Sequence, residues 1–326
     1  MKKLVLFIAG ILLVCIILWQ ADFSQVFIVL KDFSLENLLF ICLLQLITIL
    51  LINLQWHKIA LNMGEKTALK DLIHMNMVGT FVESITPSAK AGGEATKVYL
   101  LKTRMGFSTG KAAALVAVQK TISLIAFLLL NILSMGWFVV SVDVEGLQVK
   151  VIFGSFLFLT VVLLVLLLLV LYPSKLLSFI KGLTIKKKWK EKFYDVLETL
   201  EATVRDMLQQ KKQLCGQFSL SLIIWLLFAF KAYLIAKGLN IQLSFIGIAV
   251  ITYLTYMIGM LPLLPGGVGT FEGSMVFFLL PLGVASYEGM ALALILRLVT
   301  FWLVFLLSAL FLGYQQLMKI QNLYSH

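Results

Sequence analysis

Long uncharged apolar runs alternate with short polar ones along this chain. Uninterrupted runs cover 4–21, 37–56, 121–142 and 151–174, and two more, 213–236 and 289–318, are broken only by Lys231 and Arg297. A hydrocarbon core of about 30 Å is crossed by about 20 apolar residues in an α-helix, so about six full transmembrane helices are predicted. Between the second and third runs, and again between the fifth and sixth, the apolar pattern is interrupted in mid-course. The interruptions read Pro87-Ser-Ala-Lys-Ala-Gly-Gly-Glu94 and Pro265-Gly-Gly-Val-Gly-Thr-Phe-Glu272. The leg before Pro87 is short, and the return leg soon meets Lys97, Lys102 and Arg104, which leaves too little apolar chain for two crossings. Each region, 72–104 and 245–284, is therefore expected to be a re-entrant pair of half-helices that enters and leaves on one side.

The two interruptions share more than composition. In each, a proline stands seven residues before a glutamate, and 25 residues after that glutamate comes a polar group. That group is Gln119, followed by Lys120, in the first copy and Arg297 in the second. Carboxylates and glycine-broken backbone are expensive in hydrocarbon, and the same costly device at the same spacing points to an internal duplication around a polar site.

Charge orients the copies. With six crossings and both termini inside, the cytoplasmic segments (the N-terminus, 57–70, 97–111, 173–214 and Lys319) hold about twenty Lys and Arg, and the outer loops about three. Orientation follows this bias. It sends the first hairpin in from the cytoplasm and the second from outside, so the predicted fold is an all-α polytopic membrane protein with an inverted repeat. Its parts are an N-terminal half, 1–172, a cytoplasmic connector, 173–214, and a C-terminal half, 215–326. In the connector Leu197, Leu200, Val204 and Leu208 recur at helical spacing among charges after a lysine-rich stretch, 185–190. It reads either as an amphipathic helix on an anionic leaflet or as a solvated link between the halves.

Composition agrees with a membrane location. The chain is 326 residues, 61% hydrophobic and 13% charged, with mean hydropathy +1.00. The net charge of +11 sits in short loops, the positive-inside pattern, so no nucleic-acid partner is expected. Cys15, Cys42 and Cys215 lack metal or disulfide spacing and read as packing residues. The apolar run after Met1 has no small-x-small cleavage site and is read as an uncleaved first span.

The candidate site residues are those that hydrocarbon makes costly. Glu94 and Glu272 can bind a headgroup, a cation or a proton, or can cap a broken helix. Gly92, Gly93, Gly266, Gly267 and Gly269 leave amides free to cradle an anion, and Pro87 and Pro265 mark the breaks. Arg297 offers a fork suited to phosphate, or an ion pair with Glu272. Lys120 has the same two readings in the first copy, and Lys90 can neutralise Glu94 or attract an anionic headgroup. Lys231, Glu83 and His74 rank below these, as local pairs or interface residues. No metal, hydrolase or nucleotide motif is present, and no cofactor or metal is expected; Gly106-Phe-Ser-Thr-Gly-Lys111 is one residue short of a phosphate loop and lacks its Ser/Thr.

Thr86-Pro-Ser-Ala-Lys-Ala-Gly-Gly-Glu94 with Tyr99-Leu-Leu-Lys102, and Leu264-Pro-Gly-Gly-Val-Gly-Thr-Phe-Glu272-Gly273, carry a resemblance over essentially the whole chain. The sequence resembles the flippase-like membrane-domain family of lysylphosphatidylglycerol synthases. That resemblance implies a membrane part that moves a lipid between leaflets; in fused relatives a C-terminal cytosolic domain transfers an aminoacyl group from tRNA to phosphatidylglycerol. The sequence ends at His326, soon after its last span, so the stand-alone form without that domain is expected. The leading expectation is a lipid transporter of the cytoplasmic membrane. The alternatives are a lipid-modifying enzyme such as a phosphatidylglycerol lysyltransferase, or a non-transporting membrane partner of a separate lipid-synthesis enzyme.

The topology is open to a direct test. In a cysteine-free background, a cysteine at position 145 should react with an impermeant thiol reagent applied outside, and one at position 188 should be protected. The reverse pattern overturns the assignment.

Overall fold

A computed structural model describes residues 23–86, 91–141, 147–171, 187–260 and 267–324, and these are helical with no strand. In chain order the helices are α1 (Phe23–Lys31), α2 (Leu35–Asn62), α3 (Leu69–Ile85), α4 (Ala91–Met105), α5 (Thr109–Ser141), α6 (Leu147–Leu171), α7 (Lys187–Gln209), α8 (Lys211–Gly238), α9 (Phe245–Gly259), α10 (Thr270–Leu279), α11 (Ser286–Arg297) and α12 (Leu303–Tyr324). A π-helical segment, Leu298–Trp302, joins α11 to α12. Among the described residues, four helical stretches are long and apolar enough to cross a bilayer: Leu35–Asn62, Thr109–Val140, Lys211–Gly238 and Ser286–Leu317. They contain most of the expected runs 37–56, 121–142, 213–236 and 289–318. The expected first span, 4–21, lies outside the described residues, and α6 covers most of 151–174 as a 25-residue helix.

The helices are inside-out relative to those of a water-soluble protein. Along α2, Leu35, Leu39, Leu43, Leu46 and Leu50 are exposed, whereas Gln45, Thr48, Asn53 and Gln55 are buried. In water such an apolar exterior would aggregate; in lipid it is the favourable solvent face, and the polar groups turn inward to find partners. They find them across the bundle. Gln55 Nε2 donates to Ser221 Oγ (2.6 Å) and to the Gln217 carbonyl (3.2 Å), and Lys231 donates to Gln45 and to Thr48 Oγ1. These contacts run from Gln55 down to Gln45 as α8 runs from Gln217 up to Lys231, so α2 and α8 are antiparallel along a polar seam.

The helices on either side of each break are short: α3 and α4 have 17 and 15 residues, α9 and α10 have 15 and 10. Residues 87–90 and 261–266, between the helices of each pair, lie outside the described residues. α3 packs against α4 and α9 against α10, and each pair reaches into the other half of the chain. α3 lies along α12, with Phe81 stacked on Phe305 at 5.5 Å and His74 beside Phe311 at 5.8 Å. α9 lies along α5, with Tyr253 edge-on to Phe127 at 6.5 Å. In both cases the partner runs antiparallel.

α7 corrects one expectation about the connector. Its Leu197, Leu200 and Val204 join a core that includes Leu115 and Val118, and a side chain at Gly110 would strike Thr199. The apolar stripe is thus buried against α5 inside the protein and is not free to lie on a leaflet; Leu208's side chain is outside the described set. Sequence periodicity identifies an apolar face but not the surface that covers it.

The closeness of α3 and α4 rests on glycine. A Cβ at Gly93 would come within 2.6 Å of the Gly79 carbonyl oxygen and 2.8 Å of the Glu83 Cβ. Gly93→Ala should therefore destabilise the purified protein by about 1–3 kcal/mol through overpacking. Gly136→Ala, where nothing lies within 4 Å of the added carbon, should be neutral or mildly stabilising. Equal thermal midpoints for the two variants would contradict this packing.

Candidate functional site

The second motif is closed on itself. Gly267 and Gly269 hold φ of +68° and +82°, backbone that residues with a Cβ rarely adopt, and this turn feeds directly into α10. Two residue types then satisfy the backbone freed by the turn. Glu272 Oε2 accepts from the Gly269 amide at 2.7 Å, capping the helix start, and Arg297 Nη1 donates to the Gly267 carbonyl at 2.9 Å. Arg297 Nε lies 3.3 Å from Glu272 Oε1, with side chains 4% and 7% exposed. The guanidinium lies between the rings of Phe271 and Phe301, 5.4 and 4.7 Å from their centroids. Both readings of Glu272, cap and ion-pair member, hold at once.

The first motif has the same parts with different chemistry. Glu94 enters the first turn of α4, and one of its oxygens, Oε1, receives both Lys97 Nζ (3.0 Å) and Lys120 Nζ (2.8 Å). Lys97 is buried and lies over the Trp56 ring, 5.2 Å from its centroid. Glu83, on α3, acts electrostatically on both lysines, so two acids and two bases share this region. Next to Lys120, Gln119 Nε2 donates to Gln55 Oε1 at 3.2 Å, which ties the cluster to the α2–α8 seam. Lys120 is the cluster's opening, its side chain 44% exposed.

The structure therefore brings Glu94 to Lys120, and Glu272 to Arg297 and to Gly267 and Gly269. Gly93 holds α3 against α4, and the Gly92 carbonyl accepts from Thr96 Oγ1 at 2.8 Å. Pro87, Lys90, Pro265 and Gly266 lie outside the described residues. Among residues given less weight in the sequence, Lys97, Gln55 and Trp56 belong to the first cluster, and Lys97 was findable three positions after Glu94 on the same helical face. Glu83 stands beside the lysines. Lys231 is fully buried and held by Gln45 and Thr48, with Phe228 beneath it at 4.2 Å. No group of three or more metal-ligating side chains occurs among the described residues.

Lipid-facing apolar helices around buried charged clusters define a multi-pass α-helical membrane protein. Its sequence matches the family described as Lysylphosphatidylglycerol synthase TM region over residues 3–308, and the chain belongs to that family. It is similar to a UPF0104 membrane protein of Methanothermobacter thermautotrophicus, 27% identical over 80% of both chains. A second relative, a UPF0104 membrane protein of Pyrococcus horikoshii, is 23% identical over 95% of this chain and 96% of its own.

Breaking the second cluster should be a folding defect. Glu272→Gln or Arg297→Gln alone leaves a buried charge without its counterion and should cost roughly 3–5 kcal/mol. The double mutant, which removes both charges, should recover part of the lost thermal stability. A double mutant no more stable than the worse single mutant would refute the pair.

Proposed function

We propose that the chain moves a lipid headgroup between the leaflets of the cytoplasmic membrane while the acyl tails stay in the bilayer. The observation that carries this reading is the first cluster: Glu83, Glu94, Lys97 and Lys120 gathered inside an apolar bundle and open at a half-exposed lysine. A charged group kept in hydrocarbon at such cost is a functional site by default. Lys120 supplies a cation for a phosphodiester, and Glu94 an anion for the rest of the headgroup. The relatedness to a lysylphosphatidylglycerol synthase membrane region supports a lipid substrate.

The proposed architecture is six crossings with both termini in the cytoplasm, and two re-entrant hairpins, α3–α4 and α9–α10, facing opposite ways. Its support is the packing. Exchange α1–α5 with α7–α12, α11 and α12 together standing for α5, and the contacts largely map onto one another: α3 on α12 with α9 on α5, α4 on α5 with α10 on α11, α2 on α5 with α8 on α11. The same exchange sends α1 on α11 to α7 on α5, and α2 on α8 onto itself. On this reading α7 is the repeat partner of α1 as well as a linker. Alternating access then arises by rocking one half against the other around a site near the midplane.

A scrambling assay in proteoliposomes with headgroup-labelled phospholipid tests the function. Lys120→Gln removes a half-exposed charge and one of the two lysines on Glu94, so thermal stability is measured alongside and translocation is compared at a temperature where the variant is folded. A charge-assisted hydrogen bond contributes about 1.5–3 kcal/mol, so translocation should fall roughly ten- to a hundredfold. A modified lipid product in place of leaflet exchange would move the protein to the enzyme class.

A further inference from the structure

The two copies differ in one respect that bears on which of them meets the ligand. In the second copy both carboxylate oxygens of Glu272 are occupied, one by Arg297 and one by the Gly269 amide. In the first copy Glu94 Oε1 takes both lysines, while Glu94 Oε2 is buried and has no hydrogen-bond partner. Gln119 stands 25 residues after Glu94, where Arg297 stands after Glu272. It is also buried, and its Oε1 has no partner either. Its amide nitrogen is already committed to Gln55.

Glu94 and Gln119 belong to one circuit of contacts. Glu94 contacts Lys97, Lys97 covers Trp56, Gln55 next to Trp56 accepts from Gln119, and Lys120 next to Gln119 returns to Glu94. The circuit closes around the junction of α2, α4 and α5. A buried acceptor without a donor is costly, more so when it is part of a carboxylate. In the second copy the Gly269 amide fills one oxygen and the Arg297 guanidinium the other. In the first copy both lysines converge on Oε1 of Glu94, the Gln119 amide donates to Gln55, and the two remaining oxygens have no donor.

Resting on the transporter reading, we infer that the first copy is the ligand-binding half and the second a structural lock. The ligand is a headgroup that carries an N–H or O–H donor close to a phosphodiester. The donor fills Glu94 Oε2 and Gln119 Oε1, and the phosphodiester lies against the exposed Lys120. With two acids and two lysines already balanced, the site selects for donors and not for net charge. A headgroup with the same phosphate and no donor, a trimethylammonium, cannot fill it.

Binding can be measured without transport. The full chain in detergent is titrated with phosphatidylethanolamine, phosphatidylglycerol or phosphatidylcholine of identical acyl chains, and thermal unfolding is followed. Phosphatidylethanolamine or phosphatidylglycerol should raise the midpoint at concentrations at least about tenfold below those at which phosphatidylcholine does, the loss of one hydrogen bond to a charged group being of that size. The ethanolamine arm reports an ammonium donor and the glycerol arm a hydroxyl. Gln119→Arg installs the second copy's donor in the first; it should fold and abolish the preference. Should that variant not fold, Gln119→Met, which keeps the length and removes the acceptor, should weaken the preference. Equal stabilisation by all three lipids, as when water alone fills the site, overturns the inference, and so does a preference that survives Gln119→Arg. Headgroup preference without leaflet exchange in proteoliposomes would sink the transporter reading and leave this assignment standing.

Discussion

Hydrocarbon offers no hydrogen bonds, and the rest of this structure follows from that constraint. A helix that stops inside an apolar bundle exposes amides at its start and carbonyls at its end, and something in the protein must meet them. At the second break the answer is local: Glu272 takes the Gly269 amide and Arg297 takes the Gly267 carbonyl, and the pair neutralises itself. Remove either charge and the other is stranded, which is why a carboxylate serves here although a serine could cap the helix. The apolar exterior of α2 and its amide-lined interior answer the same constraint for side chains.

The two breaks show how one backbone device supports different chemistry. Glycine lets the chain turn sharply at the second motif, at Gly267 and Gly269, and lets helices touch at the first, at Gly79 and Gly93. Around the second turn the polar groups are saturated and sealed between aromatic rings. Around the first they are in excess, linked to a seam of amides and open at Lys120. A saturated site resists change and an unsaturated one responds to whatever donor arrives.

Much of this was legible in the sequence because the membrane makes polar groups conspicuous. Glu94, Glu272, Arg297 and Lys120 were visible as charges in apolar surroundings, and an ion pair with the glutamate was one of two readings for Arg297 and Lys120, the other being a phosphate ligand. Other features were not legible. Gln55, Asn53 and Asn76 carry no charge, so nothing in a hydropathy profile separates them from ordinary loop-facing amides. Gln55 reaches Gln217 and Ser221, more than 160 residues away, and Asn76 donates to Asn53 at 2.9 Å. Lys97 looked like the first charge of a loop because it begins a basic stretch; its burial depends on Trp56, which only tertiary packing supplies. The covering of α7 by α5 was hidden for the same reason.

Lys231 shows how far the polar interior extends beyond the two motifs. Thr48 donates its own hydroxyl hydrogen to the Leu44 carbonyl at 2.8 Å, so toward Lys231 its oxygen can only accept. The Gln45 carbonyl oxygen accepts as well, and the third direction is closed by the Phe228 ring face, itself an acceptor of positive charge. Three acceptors therefore surround this one nitrogen. The α2–α8 seam thus has amides at one end and a buried lysine at the other. Leucines facing lipid tolerate sliding or rotation of a helix, since one apolar contact replaces another. The paired polar groups do not, because each step out of register strands donors in a dry interior. The seam therefore fixes the register of α2 against α8, and through Gln119 and Gln55 the Glu94 cluster is tied to it.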